Sequence, residues 1–336
     1  MTISIAFQTN KSPAEYTALA KLVNQYDFGV VSVYCDAPFH PSYGPLLLMA
    51  PHIERARLGP AAVSVSRMAP IDIAADTALL SQAAAGGAYV GIVRGAWLSD
   101  YGIREIEQPI QAIREAVEVI RYMLLGQTGG YIGEVYQLAP HVRAPYPPLA
   151  QPVPVMIGSW GPKLCAVAGE IADEVKVGGS ANPDLVPVIQ EYIAVGERRA
   201  GRTVGSVGVV IGAVTVADAD RERARAQARR SVALYLPVIG GLDPTVDVEP
   251  ELIQRLQTLS NQGDTEAAAR LISDDLLDRF AFSGSAADLI RQAEALYDAG
   301  ASRIEFGTPH GLIPAEGIKI IGGEVLPALK RWAQRA

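Results

Sequence analysis

Residues 153–178 read VPVMIGSWGPKLCAVAGEIADEVKVG. An apolar run over 153–158 ends in a turn of small residues. A helical segment opens at Pro162, and a second short run with valines at alternate positions, Val175 and Val177, follows over 173–178. Two short runs carrying β-branched residues with a helix between them predict a strand-helix-strand unit of parallel strands. Proline at the first helical position costs nothing there, because that N–H has no intrahelical partner anyway. The same rhythm runs outward in both directions. Towards the N-terminus it predicts strands over 3–9, 29–35, 58–66 and 88–94, with helices over 13–26, 44–56, 70–84 and 104–125. Ser12-Pro13 opens the first helix, and Pro51 should break the second. Towards the C-terminus it predicts helix 183–200, strand 207–216, a helix from about 218, helix 285–299, strand 302–307 and a terminal helix 315–334.

That makes eight strand-helix units. An open doubly wound sheet can also be written from such alternation, but eight units favour closure. The expected fold is α/β: a single (β/α)8 TIM barrel over residues 1–336, with insertions near 127–150 and 236–280. Its strands, covered on both faces, should run apolar rather than alternating.

Composition narrows the function classes. Of the 336 residues, 49% are hydrophobic and 19% charged, which suits a compact chain rather than a disordered one. A net charge of −7 speaks against nucleic acid as a partner, since phosphate binding needs a basic stripe. Cys35 and Cys165 are the only cysteines, and His40, His52, His141 and His310 lack zinc-ligand spacing, so no metal is expected. The N-terminus lacks a basic leader, and no apolar run reaches membrane-spanning length. The expectation is a cytoplasmic protein with a small-molecule substrate and no membrane partner.

In a barrel of this kind, chemistry sits at the carboxyl ends of the strands. Those ends carry Gln8; Asp36, with His40 four residues on; Arg94, Gly95 and Trp97; Gly158, Ser159, Trp160, Gly161 and Lys163; Gly178; and His310. The Gly158–Lys163 turn before a helix can present backbone N–H groups and the helix dipole to a phosphate. An ordinary strand-to-helix turn reads the same way. Asp36 can serve a ligand or cap a loop, His40 and His310 can be structural, and Trp97 can stack on a ring or simply pack. Arg94 at a strand end asks for an anionic partner.

Three runs resemble the bacterial luciferase-like superfamily: Gly86 to Gly95, Gly161-Pro162-Lys163 with Ala168 to Asp173, and Phe306 to Gly311. Within it the chain is similar to the deazaflavin-dependent branch that includes methylene-tetrahydromethanopterin reductase. The resemblance implies a barrel holding the deazaflavin coenzyme F420 at its mouth, with FMN as the alternative cofactor. It implies an acidic residue after strand two beside the ring, which is Asp36 here, and a cis peptide in a bulge of strand three, here Ala61-Ala62. The cofactor phosphate would lie against the Ser159–Lys163 turn, Gly178 and the Arg94-Gly95 strand end. Asp36 and His40 become the candidates for ring contact and proton management, and Gln8, Trp97, Glu134 and His310 for substrate contact. A homodimer is implied. Two departures stand out: Ala6 occupies the place of a glutamate on strand one, and Ser64-Val65-Ser66-Arg67 replaces Asn-Pro-Tyr-Thr. The function implied is F420-dependent hydride transfer to an electrophilic carbon, of a methylene-tetrahydropterin or related substrate. The rivals are an FMN-dependent monooxygenase and a non-catalytic flavin-binding barrel.

Overall fold

The computed structural model describes residues 1–335. Its strands are β1 (Thr2–Phe7), β2 (Val30–Val33), β3 (Arg57–Pro60), β4 (Val63–Ser64), β5 (Val90–Val93), β6 (Tyr131–Ile132), β7 (Gln137–Leu138), β8 (Val155–Gly158), β9 (Glu174–Gly178), β10 (Gly208–Ala217), β11 (Ala281–Gly284) and β12 (Arg303–His310). β6 and β7 form an antiparallel hairpin. The others form one sheet of parallel pairs in the order β3-β2-β1-β12-β10-β9-β8-β5-β4, with β11 beside the second half of β10. The sheet closes on itself through Leu58 of β3. Its N–H donates to the Gly87 carbonyl (3.0 Å), and its carbonyl accepts from the Tyr89 N–H (2.9 Å). Counting β3 and β4 as one interrupted stave, eight staves make the expected α/β barrel. β11 is an additional parallel strand that the sequence reading left in the stretch around 240–285. Four residues give too short a run for a period to show.

The interruption falls at the Ala61-Ala62 peptide, which is cis, as the resemblance implied. β3 pairs with β2 before it, and β4 pairs with β5 after it. Gly91 on β5 makes room for this bulge, because a Cβ there would sit 2.1 Å from the Pro60 carbonyl oxygen and 3.1 Å from Ala62 Cβ.

Helix boundaries follow local chemistry. The first helix, Pro13–Val23, carries a capping box between Ser12 and Glu15. The second ends as a helix at Met49 and finishes in a single 3-10 turn around Pro51, the break expected there. The helix predicted over 104–125 begins only at Pro109. The residue before a proline is disfavoured in the α region, so the segment before Pro109 stays out of the helix despite its apolar Ile106. The terminal helical segment Pro314–Ala333 contains a π turn over Ile321–Val325, where Gly322 lies flat on the Tyr26 ring.

The expectation of uniformly apolar strands is corrected. Ile3, Ile5 and Phe7 of β1, Val31 and Val33 of β2, Val175 and Val177 of β9, and Ile304 and Phe306 of β12 face outward into the main core under the helices. The alternate residues face the barrel axis and many are polar. The Glu305 carboxylate accepts from Ser32 Oγ (2.6 Å), pairs with the Lys176 ammonium and lies 3.7 Å from the Arg303 guanidinium. Arg303 also binds Glu174 in a bidentate pair (3.0 and 2.5 Å). Charges this deep survive only when paired and hydrogen-bonded.

The 127–150 segment lies outside the barrel. Its hairpin is clamped to the helix Pro109–Leu124 by the buried Glu115 carboxylate, which accepts from the N–H groups of Glu134, Val135 and Tyr136 (2.7, 2.8 and 2.8 Å). The helices Pro250–Asn261, Thr265–Arg270 and Asp274–Phe280 pack with Arg221–Ile239 around a second apolar cluster that includes Leu236, Leu256, Leu277 and Phe280. Among the described residues no helix is long and apolar enough to cross a membrane.

Candidate active site

The loops that follow β1 and β2 are tied together at the barrel mouth. Gln8 Nε2 donates to Asp36 Oδ2 (3.0 Å), and Gln8 Oε1 accepts from the Thr9 N–H (2.8 Å), which fixes the amide's orientation. The His40 N–H donates to the Thr9 carbonyl (3.0 Å). Between Asp36 and His40 the Ala37-Pro38 peptide is cis. The Asp36 carboxylate is exposed, and among the described residues Gln8 is its only hydrogen-bond partner. The structure therefore brings Gln8, Asp36 and His40 together, and leaves Asp36 with capacity for a ligand.

Beside them, Ser64 Oγ donates to the Arg94 carbonyl (2.6 Å), and the Arg67 guanidinium donates to the Cys35 carbonyl. Gly95, with φ +106, accommodates this close approach, since a Cβ would lie 2.8 Å from Ser64 Oγ. The substituted strand-three tail thus cross-links three neighbouring strand ends. Arg94 has a partner within the chain. Its guanidinium is bound by the Glu105 carboxylate, with Nη2 2.9 Å from Oε2, while 59% of its side chain stays exposed. The Arg94 hydrogen bond holds the Glu105 carboxyl below the usual range. Trp97 follows in a left-handed conformation (φ 54) and stands 39% exposed.

The phosphate-turn expectation falls on the turn from β8 into the helix Pro162–Ile171. The Ser159 N–H donates to the Lys176 carbonyl (3.0 Å), which seats the turn against the end of β9. The Gly161 N–H is taken by Ser159 Oγ (3.2 Å). No side chain caps this helix, so the amides of Lys163 and Leu164 in its first turn have no helical partner. Neither Gly161 nor Gly178 has any atom within 4 Å of where a Cβ would stand. The result is an open cradle of backbone N–H groups at a helix N-terminus, with the Lys163 side chain beside it. Trp160 packs partly buried against the main core.

Two expected substrate contacts are corrected. His310 is 2% exposed, its Nε2 bonds the Ala6 carbonyl (3.0 Å), and its ring lies 5.0 Å from that of Phe7. Burial lowers its pKa to about 4, so the imidazole is neutral and ties β12 to β1 rather than facing substrate. Glu134 is exposed on the outer hairpin, its backbone held by Glu115, away from the strand ends.

The sequence reading missed Lys176, Glu305, Tyr34 and Tyr235. The Lys176–Glu305 pair lies inside the barrel below the mouth, with the Lys176 ammonium 5.2 Å from the centre of the Tyr34 ring. Burial first, and then the charge of Asp36, pushes the Tyr235 phenol up, which places this residue of the helix Arg221–Ile239 near the mouth carboxylate. A signal for three of the four existed. Ser32, Tyr34 and Asp36, then Glu174, Lys176 and Gly178, then Arg303, Glu305 and Gly307 each recur at a spacing of two, the period of one strand face.

The sequence matches the family model for luciferase-like monooxygenases over residues 6–303. It is 29% identical to a 5,10-methylenetetrahydromethanopterin reductase of Archaeoglobus fulgidus, over 86% of this chain and 87% of that one. Among solved structures it superposes on the coenzyme F420 dependent tetrahydromethanopterin reductase of Methanopyrus kandleri with a TM-score of 0.88 at 23% identity, covering 97% and 99% of the two chains. An F420-dependent secondary alcohol dehydrogenase, solved with an F420-acetone adduct, superposes with a TM-score of 0.79 at 18% identity, covering 98% of each.

Proposed function

The chain belongs to the luciferase-like monooxygenase family, and on that premise we propose that it is an oxidoreductase that uses coenzyme F420 to transfer a hydride to or from an electrophilic carbon of a small-molecule substrate. The observation that carries this reading is the open cradle at Gly158–Lys163, seated against β9 and lying at the same barrel end as the cis Ala61-Ala62 bulge and Asp36. The residues present fit the coenzyme. Free first-turn amides, Lys163, and the space over Gly161 and Gly178 suit its phosphate, while small side chains at Ala61 and Ala62 leave a flat wall for a ring. The A. fulgidus relative, named as a methylenetetrahydromethanopterin reductase, supports a pterin-type substrate.

The coenzyme, when bound, supplies the hydride chemistry. The chain's own part is positioning and electrostatics. Gln8 orients the Asp36 carboxylate toward the mouth, with His40 on the same loop to manage protons. The Lys163 turn anchors the anionic end, and Trp97 presents an aromatic face at the rim.

The whole chain acts as one domain in this reading, with the 127–150 and 236–280 segments as attachments to it. Exposed Leu48, Ile71 and Leu79, on two helices that pack together, support a homodimer. The cytoplasm is the compartment assigned, and both cysteines are free.

A fluorescence titration tests the proposal. The purified chain is expected to bind oxidised F420 at micromolar or tighter affinity and FMN weakly. Preferential FMN binding with oxygen consumption would instead make it a monooxygenase, the activity its family model describes. Tight coenzyme binding with no turnover of any electrophile would make it a carrier.

A further inference from the structure

Resting on the F420 reading, we propose that Tyr34 is a further catalytic residue of this site, its hydroxyl donating the proton taken up by the substrate heteroatom when the carbon bonded to it receives the hydride.

Tyr34 continues β2 in register, its N–H donating to the Phe7 carbonyl (2.9 Å). Two residues earlier Ser32 faces the barrel interior, where it binds Glu305. Two residues later Asp36 stands at the mouth. Strand alternation therefore turns Tyr34 inward, between the buried ion pair and the mouth carboxylate. The phenol reaches from β2 past β1 to β12, since a Cβ on Gly307 would lie 2.4 Å from Tyr34 Oη. It can do so because Ala6 and Gly307, which follow the paired residues Ile5 and Phe306, are small. Ala6 is also the position where the resemblance places a glutamate. This chain carries no acid there, and a phenol from the neighbouring strand takes the adjoining space.

Three observations point to a chemical role over a packing role. Tyr34 is only partly buried, in a region where its neighbours Ser32 and Val33 are fully so. Its hydroxyl bonds no protein group among the described residues, yet it is not among the sealed polar atoms that lack a partner, so the oxygen keeps some accessible surface. The Lys176 ammonium sits over the ring, 5.2 Å from its centre, and brings the one cation of the buried pair up to the phenol. Burial first, and then the neighbouring carboxylates of Glu305 and Asp36, raise the phenol well above its ordinary range, so it carries its proton at neutral pH.

The step balances. Hydride addition at carbon releases an electron pair onto the attached heteroatom. That atom takes the Tyr34 proton as the phenolic O–H bond breaks. The phenolate is held beside Lys176, and a water from the mouth returns the proton. The coenzyme is the only reductant and the substrate the only oxidant.

Tyr34→Phe keeps the ring over Lys176 and removes only Oη. Wild type and variant would be titrated with oxidised F420, then assayed with reduced F420 and either 5,10-methylenetetrahydromethanopterin or acetone. The expected result is coenzyme affinity and KM within about threefold of wild type and a kcat lower by about 10²-fold, the range of one positioned proton donor. An unchanged kcat with intact coenzyme binding overturns the Tyr34 assignment and leaves the F420 reading standing. Lost coenzyme affinity with an intact kcat overturns it too, by making Tyr34 a binding residue. A wild-type chain that does not bind F420 overturns the F420 reading and this assignment with it.

Discussion

The lower barrel and its mouth both hold charged and polar side chains, but they satisfy them differently. Inside, Glu305, Lys176, Arg303 and Glu174 bind one another, and Glu305 takes Ser32 as well. At the mouth, among the described residues, Asp36 has Gln8 alone, the Tyr34 hydroxyl has no protein partner, and the helix after Gly161 has no side-chain cap. Desolvated charges must find partners within the chain, whereas groups at a water-filled rim can wait for a ligand. The difference separates polar residues that hold the barrel from polar residues that act.

Four substitutions would break or sharpen that contrast. Glu305→Ala leaves Lys176 without its carboxylate partner in the interior, while Arg303 keeps Glu174. It should cost about 3–5 kcal/mol in urea unfolding, the usual loss when one partner of a buried pair is removed. A loss below about 1 kcal/mol would mean that water reaches the pair.

His310 gives a pH test of the same principle. Its pKa falls from 6.5 to about 4 on folding, so between those values the unfolded chain binds more protons than the folded one. Its contribution is fully present above about pH 6.5 and is lost as pH falls towards about 4, roughly 3 kcal/mol across the window. His310→Asn should flatten that part of the stability profile. A slope that persists would place the titration elsewhere.

Mouth residues should show the opposite signature, with function lost and stability kept. Asp36→Asn should lower turnover by about 10²-fold while the melting temperature stays put. A destabilised variant with normal turnover would move Asp36 into the structural group. The smallest effect is expected for Lys163→Ala, which should weaken F420 binding by about tenfold, the low end for a charge-assisted hydrogen bond. That loss should shrink as salt is added. Equal affinities at low salt would remove Lys163 from the cradle.

Much of the site was legible because it lies in contiguous sequence. Gly158 to Lys163 is a local turn, and its anion-binding capacity follows from small residues before a helix. Asp36 was legible at a strand end, the Ala61-Ala62 bond came from the resemblance, and the structure places both at the same end of the barrel. The residues that were misplaced depend on partners far away in the chain. His310 looked like a loop residue until β12 carried it against Ala6, more than 300 positions earlier. Glu134 looked available until Glu115 captured its backbone. Lys176 and Glu305 went unremarked because each sits in a strand whose other face is apolar, and neither betrays its partner locally.

By itself, then, the sequence determined the alternation of strands and helices, the break at Pro51 and the small-residue turn after β8, since each follows from neighbours within one element. Tertiary structure alone decided which face of each strand looks inward, how Leu58 closes the ring, and which charges find a mate. Closure sets eight separate stretches of chain around one axis, and the energy of a buried charge depends on what stands across that axis, not on what precedes it in the chain.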